Sequence, residues 1–364
     1  MPLRGSGSLA MGGPKLTKSE APRGRKEAAG VTMQTVARLA GVSAMTVSRA
    51  LRGEGLVSRE TRERVLEVVR ETGYVPDASA RVFASRRSGF VAALAPSLNN
   101  SNFAETLRGM SGVFDEAGLQ MLLGDTQYLL SREESLIATF LQRRPEAILL
   151  TGSVHTPAAK QMLKRAEIPI VETWEAPSRP LGHVVGFSNK KAGAEMARYL
   201  HRRGRRRIAF IGSAADRDRR GFERQAGYCE AIAELGLPEG RIVSIGAPPA
   251  TMATGGEALP RVLEQWPDTD GIVCVSDLAA FGALSECQRL GVPAPDRVAI
   301  IGFGDFEVGR HCCPRITTIG VDSEAIGRIA AETVVEALEA RERGEPMARK
   351  RHILEFTVIE RETA

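Results

Sequence analysis

The chain has 364 residues, 43% hydrophobic and 26% charged, the balance of a soluble protein with room for two or three folded units. Its net charge of +5 is unevenly divided: residues 1–88 carry 16 Lys and Arg against 8 Asp and Glu, and residues 89–364 carry 33 against 36. A basic head on a mildly acidic body fits a head that meets a polyanion, and the lack of both a long apolar span and a secretory h-region excludes a membrane helix and points to the cytoplasm.

Residues 1–29 show no hydrophobic period and read as a disordered basic tail. Residues 30–75 divide into three short helical patterns. The first runs from about Met33 to Ala40, with Thr32 as N-cap, Val36, Ala37, Leu39 and Ala40 as its apolar face, and Gly41 as its stop. Val42 then plugs the space between two crossing helices. Ser43 caps the second helix, whose Val47, Ala50 and Leu51 point inward while Ala44, Met45, Ser48 and Arg49 stay on the other side. Ser58 starts a third helix, packing through Val65, Leu66, Val68 and Val69. Cap, small residue, turn glycine and exposed Thr, Ser and Arg within about 20 residues are the layout of a helix-turn-helix, whose second helix enters the major groove. The bland alternative is a helical hairpin without function. Thr35, Ser43, Ala44, Met45, Thr46, Ser48 and Arg49 are the candidate DNA contacts of this head.

The stretch TVARLAGVSAMTVSRAL, followed by ETGYVPDASAR, resembles the head and hinge of the lactose-repressor (LacI/GalR) family. The phrases PSLNNSNFAETLRGM, IPIVE, VGFSN, ECQRLGVPAPDRVAIIGFGD and FTVIERETA extend the resemblance along the chain and toward the gluconate-operon repressor branch. The resemblance implies that Ala44 and Met45 hold the two variable base-reading positions and that Arg49 is the groove-contacting arginine. Arg49 can pair bidentately with a guanine, whereas Ala44 and Met45 offer apolar contact, for instance to a thymine methyl. Thr46 and Ser48 suit phosphate or water-mediated contacts. It further implies that residues 76–88 form a hinge, a short helix that folds only on DNA. Arg81 lies among its contacts, and Phe83 stands where the family wedges a leucine into the minor groove.

From residue 89 to 364 the apolar runs FVAALAP, LQMLLGD, AILLTG, IPIVETW, VVGF, RIAFIG, RIVSIG, GIVCVSD and VAIIGFG alternate with amphipathic stretches such as the stripe Ala192, Met196, Tyr199 and Leu200. This is the βαβ pattern of parallel sheets covered on both faces, and the length suits two lobes better than one. The predicted fold is therefore α/β: a helix-turn-helix head, a hinge helix, and a two-lobed body of parallel sheets like a periplasmic binding protein, which binds an effector and dimerises. Ligands of such sheets bind at the carboxyl ends of the strands. Ser97, Asn102 and Phe103, Thr151 and His155, Glu172 and Trp174, Asp277, and Asp305 follow those ends. Their amides, carboxylates and aromatic faces suit a sugar or sugar acid. By resemblance the family's pocket arginine falls on Arg224 in RQAGY, expected to grip an anionic end, and its pocket aspartate on Asp277 in SDLAAFG, expected to hold a hydroxyl pair. Ser276 stands where asparagine is usual, and Gly304 precedes Asp305 where two aspartates are frequent.

Cys229, Cys274, Cys287, Cys312 and Cys313 show no ligand spacing, so no metal is expected. No GxxxxGK[ST], HExxH, GxSxG or strand-placed GxGxxG occurs, which weakens an enzyme reading and implies no cofactor. An exported sugar-binding protein would share the body but not the basic head. The sequence thus reads as a cytoplasmic transcriptional regulator, a repressor in its simplest form, that binds double-stranded operator DNA and a small sugar-type effector. The closing HILEFTVIE is strand-like and leads into a short polar tail, and without a heptad repeat the expected assembly is a homodimer.

Overall fold

The computed structural model describes residues 31–52, 56–75, 88–213 and 217–364. The predicted tail 1–29 and hinge residues 76–87, with Arg81 and Phe83, lie outside the described residues. The chain divides into two compact units, residues 1–80 and 81–364.

The first unit holds α1 (Met33–Ala40), α2 (Ala44–Arg52) and α3 (Arg59–Thr72). The predicted caps are made: the side-chain oxygens of Thr32, Ser43 and Ser58 accept from the N–H of Thr35 (3.2 Å), Thr46 (3.1 Å) and Thr61 (3.3 Å). Gly41 closes α1 with φ +65°, a conformation that glycine takes without strain. Val36, Ala37, Ala40, Val47, Ala50, Val65 and Tyr74 form a small core, with Val42 packed against it. Three assignments change. Leu39 and Leu66, expected on packing faces, are 51% and 37% exposed, because the inward stripes run through Val36, Ala37 and Ala40 and through Val65, Val68 and Val69. Ala44, expected on the outer face, is half-buried at the core, three residues before Val47 on the same stripe, whereas Met45 is 63% exposed.

In the second unit, lobe 1 is built from β1 (Phe90–Ala95), α4 (Ser101–Glu116), β2 (Gln120–Asp125), α5 (Leu130–Gln142), β3 (Ala147–Thr151), α6 (Pro157–Ala166), β4 (Ile170–Thr173) and β5 (His183–Gly186). Lobe 2 follows with α7 (Asn189–Arg202), β6 (Ile208–Gly212), α8 (Arg219–Glu234), β7 (Ile242–Ser244), α9 (Met252–Gln265), β8 (Gly271–Cys274), α10 (Asp277–Leu290), β9 (Ala299–Phe303), α11 (Glu307–His311) and β10 (Thr317–Gly320). The chain then returns through α12 (Ser323–Glu342), packed on α4, to β11 (Arg351–Ile353) in lobe 1, and ends with β12 (Thr357–Ile359) in lobe 2. The sheet orders are β11-β5-β4-β3-β1-β2 and β12-β10-β9-β8-β6-β7. Every pairing is parallel except β10 with β12, which is antiparallel (Thr318 opposite Ile359). The segment HILEFTVIE is therefore two strands in two sheets, because the chain crosses between the lobes at Leu354–Phe356.

All nine apolar runs are strands, and the central ones, such as Val91, Leu149, Phe210, Ile211 and Ile272, are fully buried, as expected of parallel strands covered on both faces. The stripe Ala192, Met196, Tyr199 and Leu200 is buried on α7. There α7 meets α8 at backbone contact: a Cβ on Gly193 would run into the Arg224 backbone, and one on Gly227 into the Lys190 carbonyl. Only glycine permits that approach, and it sets the position of Arg224.

Candidate functional site

Between the lobes, at the carboxyl ends of both sheets, lies a cleft of about 310 Å³. Lobe 1 contributes Ser97, Asn99, Asn100, Asn102, Phe103, Tyr128 and Trp174; lobe 2 contributes Asp218, Arg220, Arg224, Thr251, Ser276, Phe303 and Phe306 among others.

The basic side of the cleft comes from α8. Asp218 caps this helix through Oδ1, which accepts from the Gly221 N–H (3.0 Å). The cap places Arg220 and Arg224, four residues apart, on one helix face. Both are only 7% exposed. Arg224 Nη1 donates to Asn189 Oδ1 (2.5 Å), its guanidinium lies 4.2 Å from the Phe303 ring centroid, and its Nε is buried without a partner. Burial lowers its pKa to about 10, only partly offset by the nearby Asp218 charge.

Asn189 Nδ2 in turn donates to the Trp174 carbonyl (2.9 Å). Trp174 has a left-handed φ of +69°, and its indole Nε1 donates to Thr106 Oγ1 (3.1 Å). The Trp174 ring stands edge-on to Phe103 (5.3 Å) and to Phe187 (5.8 Å), and Phe187 stacks on Phe303 (6.0 Å). An aromatic row thus runs from lobe 1 into lobe 2, with Phe103, Trp174 and Phe303 on the cleft and Phe187 buried behind them. The serine, asparagine and threonine residues lining the cleft from both lobes can exchange hydrogen bonds with ligand hydroxyls. Tyr128, with φ +58°, closes one side, and burial raises its pKa against the pull of Arg220 and Arg224.

Of the sequence-predicted effector residues, Asn102, Phe103, Trp174 and Arg224 are brought together on the cleft, and Ser97 joins them. The other five are not. Thr151 lies behind the cleft lining, where its carbonyl accepts from Arg220 Nη1 (3.4 Å). His155 is buried between two carboxylates, Nδ1 at 2.7 Å from Glu133 Oε1 and Nε2 at 3.5 Å from Glu172 Oε1. Glu172 is occupied a second time, accepting from the Leu181 N–H (2.7 Å). Asp277, at the start of α10, accepts from the Phe306 N–H (2.7 Å) and the Thr318 hydroxyl (2.6 Å), and burial raises its pKa to about 7. It fits there because Gly302 leaves room for its carboxylate, and it acts on the cleft only by holding Phe306. Asp305 pairs with Arg310 (3.0 Å) and with Arg361. Carboxylates following strand ends are here consumed by internal partners.

Tyr128, Asp218 and Arg220 line the cleft in addition to the residues expected from the sequence. Arg220 was detectable as the residue four before Arg224 on the same face; Tyr128 sits in a loop with no periodic signal. Among the described residues no group of three or more His, Cys, Asp or Glu could hold a metal ion, the five cysteines are free, and no helix is long and apolar enough to cross a membrane. On the head, Met45 of α2 is exposed, Ser48 and Arg49 are half-buried, and Ser43 and Thr46 hydrogen-bond each other (2.9 Å), as do Thr32 and Thr35 (3.0 Å).

Residues 27–77 match the family described as bacterial regulatory proteins, lacI family, and residues 197–364 match a periplasmic binding protein-like domain. The chain is 39% identical over 311 residues to the HTH-type transcriptional regulator GntR of Pseudomonas aeruginosa, covering 85% of this chain and 90% of that protein. The crystal structure of a LacI-family regulator from Silicibacter pomeroyi is 34% identical, with a TM-score of 0.85, covering 91% of this chain and 98% of that one. The transcriptional regulator CelR, solved as its cellobiose complex, is 29% identical with a TM-score of 0.65, covering 92% and 99%. These relatives are transcriptional regulators, and the enzyme alternative is set aside with them. The chain belongs to the LacI family of bacterial DNA-binding transcriptional regulators.

Proposed function

We propose that this regulator is a cytoplasmic homodimer that represses genes of sugar-acid metabolism, with a gluconate-like acid in the interlobe cleft as its effector. The observation that carries the reading is Arg224. A guanidinium buried to 7% exposure, with an unpartnered Nε and no salt-bridged carboxylate among the described residues, favours a ligand that brings a negative charge. The cleft of about 310 Å³ is at the small end for ligand pockets and suits a single sugar-sized molecule. The polar lining and the aromatic row suit its polyol chain. The resemblance to the gluconate-operon repressor branch agrees, whereas the cellobiose in the CelR complex is a neutral disaccharide.

In the head, Ala44, Met45 and Arg49 of α2 meet base edges, the first two by apolar contact, with Thr35, Ser43, Thr46 and Ser48 nearer the phosphates. A two-fold dimer reads a pseudo-palindromic operator. Operator and effector affinities are coupled, and by linkage each changes the other by the same factor, typically about 5- to 150-fold.

A thermal-shift comparison of D-gluconate and related sugar acids with neutral sugars tests the effector class, since a ligand of the folded state raises the melting temperature. The expected result is a shift with sugar acids that Arg224→Ala removes. A shift with neutral sugars alone overturns the reading.

A further inference from the structure

The two arginines of the cleft face different partners. Arg224 hydrogen-bonds Asn189 and lies over Phe303, both in lobe 2. Arg220 belongs to α8 of lobe 2, yet the partners of its guanidinium are in lobe 1. Its Nη1 donates to the Thr151 carbonyl (3.4 Å) and stands 3.7 Å from Glu175 Oε1, and its carbon centre lies 5.4 Å from the Phe103 ring and 5.9 Å from the Tyr128 ring.

Glu175 is prepared for this contact. Its Oε2 accepts from both the N–H (3.2 Å) and the hydroxyl (2.5 Å) of Ser153, which leaves Oε1 toward Arg220. Gly152 provides the space: with φ +112°, a Cβ there would stand 3.2 Å from Arg220 Nη1 and from Glu175 Oε1. The two side chains are 9% and 11% exposed, so salt screens their attraction far less than it screens a surface pair. Glu175 does not line the effector cleft.

We propose that Arg220 and Glu175 form an interlobe clasp that holds the two lobes together before any effector arrives, and so sets the resting point of the regulator's switch. The effector then completes a closure that the clasp has already begun, with Arg224 as its anchor and Arg220 as a positioning residue. The coupling consequence rests on the effector reading above; the clasp itself does not. An equilibrium already biased toward the closed state leaves less for a ligand to shift.

The test uses the full-length protein with Arg220→Ala, Arg220→Lys, Glu175→Gln and the Ala/Gln double variant. Without ligand, amide hydrogen exchange at residues 151–154 and 219–222 rises at least tenfold in Arg220→Ala and in Glu175→Gln. It rises no further in the double variant and is partly restored in Arg220→Lys, while the sheet strands keep their protection. Unchanged exchange at those residues, or additive effects in the double variant, overturns the clasp. With D-gluconate, the ratio of operator affinities with and without saturating ligand widens at least fivefold in Glu175→Gln. A variant that needs more gluconate but reaches the wild-type ratio marks these residues as simple ligand contacts and also overturns it. If D-gluconate does not bind the wild type, the effector reading fails while the exchange measurement still decides the clasp.

Discussion

Arg224 and Asn189 are tied at 2.5 Å, Nη1 to Oδ1, and Asn189 carries the tie across the cleft by donating to the Trp174 carbonyl. The arginine's orientation therefore depends on both lobes although its own hydrogen bond stays within one. A buried charge held in this way is costly unless an opposite charge compensates it.

Arg224→Ala is expected to weaken D-gluconate binding about 10- to 150-fold, matching the roughly 1.5–3 kcal/mol of a hydrogen bond to a charged group. Isothermal titration measures it. Arg224→Met removes the charge while keeping volume, and is expected to raise the melting temperature of the ligand-free protein while abolishing the response. A variant that still binds gluconate like the wild type removes Arg224 from the effector site.

Gly193→Ala is expected to destabilise the body by about 1–3 kcal/mol or more, since the added methyl meets the Arg224 backbone and the helices must separate. Gly112→Ala is the matched control: a Cβ there meets nothing within 4 Å, so the change is neutral or slightly stabilising. Urea midpoints of the two variants decide the matter, and equal midpoints would contradict the contact.

Stability is expected to fall in alkali through His155. Burial alone would lower its pKa, but hydrogen bonds and charge from Glu133 and Glu172 outweigh that and raise it to about 9. A folded-state pKa above the free value stabilises fully below about pH 6.5 and loses that contribution as pH rises through 9. The contribution is on the order of 3 kcal/mol. Asp277 adds loss at lower pH, because a carboxyl raised to about 7 costs stability as pH climbs from about 4 to 7. Denaturant unfolding of His155→Gln against pH should lose the alkaline slope and keep the acidic one.

Arg49→Ala is expected to lose about 1–3 kcal/mol of operator affinity and to relax preference at one base pair, with gluconate binding intact. Binding titrations on operator variants read both. A loss that is uniform across sequences, with a reduced salt slope, would make Arg49 a phosphate contact instead.

The body was legible in outline because buried parallel strands leave continuous apolar runs, from FVAALA in β1 to AIIGF in β9. Strand β10 was not, since TTIG begins with two threonines; both are fully buried, and their hydroxyls serve the Arg361 N–H and Asp277. Asn102, Phe103, Trp174 and Arg224 could be read from strand ends and from the family motif. Thr151, His155, Glu172, Asp277 and Asp305 could not be told apart from ligand groups, because a polar side chain beside a strand end looks the same whether its partner is a sugar or an internal group such as Thr318. In the head, the difference between Leu39 and Ala40, one inside and one out, is a single helical step of 100° that short helices leave ambiguous.

The three crossings between the lobes mean that neither lobe is a contiguous stretch of polypeptide. As the chain leaves the ribosome, β1 to β5 emerge early, but the helix that covers α4 and the strand that borders β5 are among the last segments made. Lobe 1 must wait, with one face uncovered, until lobe 2 has nearly been synthesised. The body consequently matures as a single cooperative body, and cutting it into separately expressed halves at the boundary after β5 would deprive the first half of its final layer.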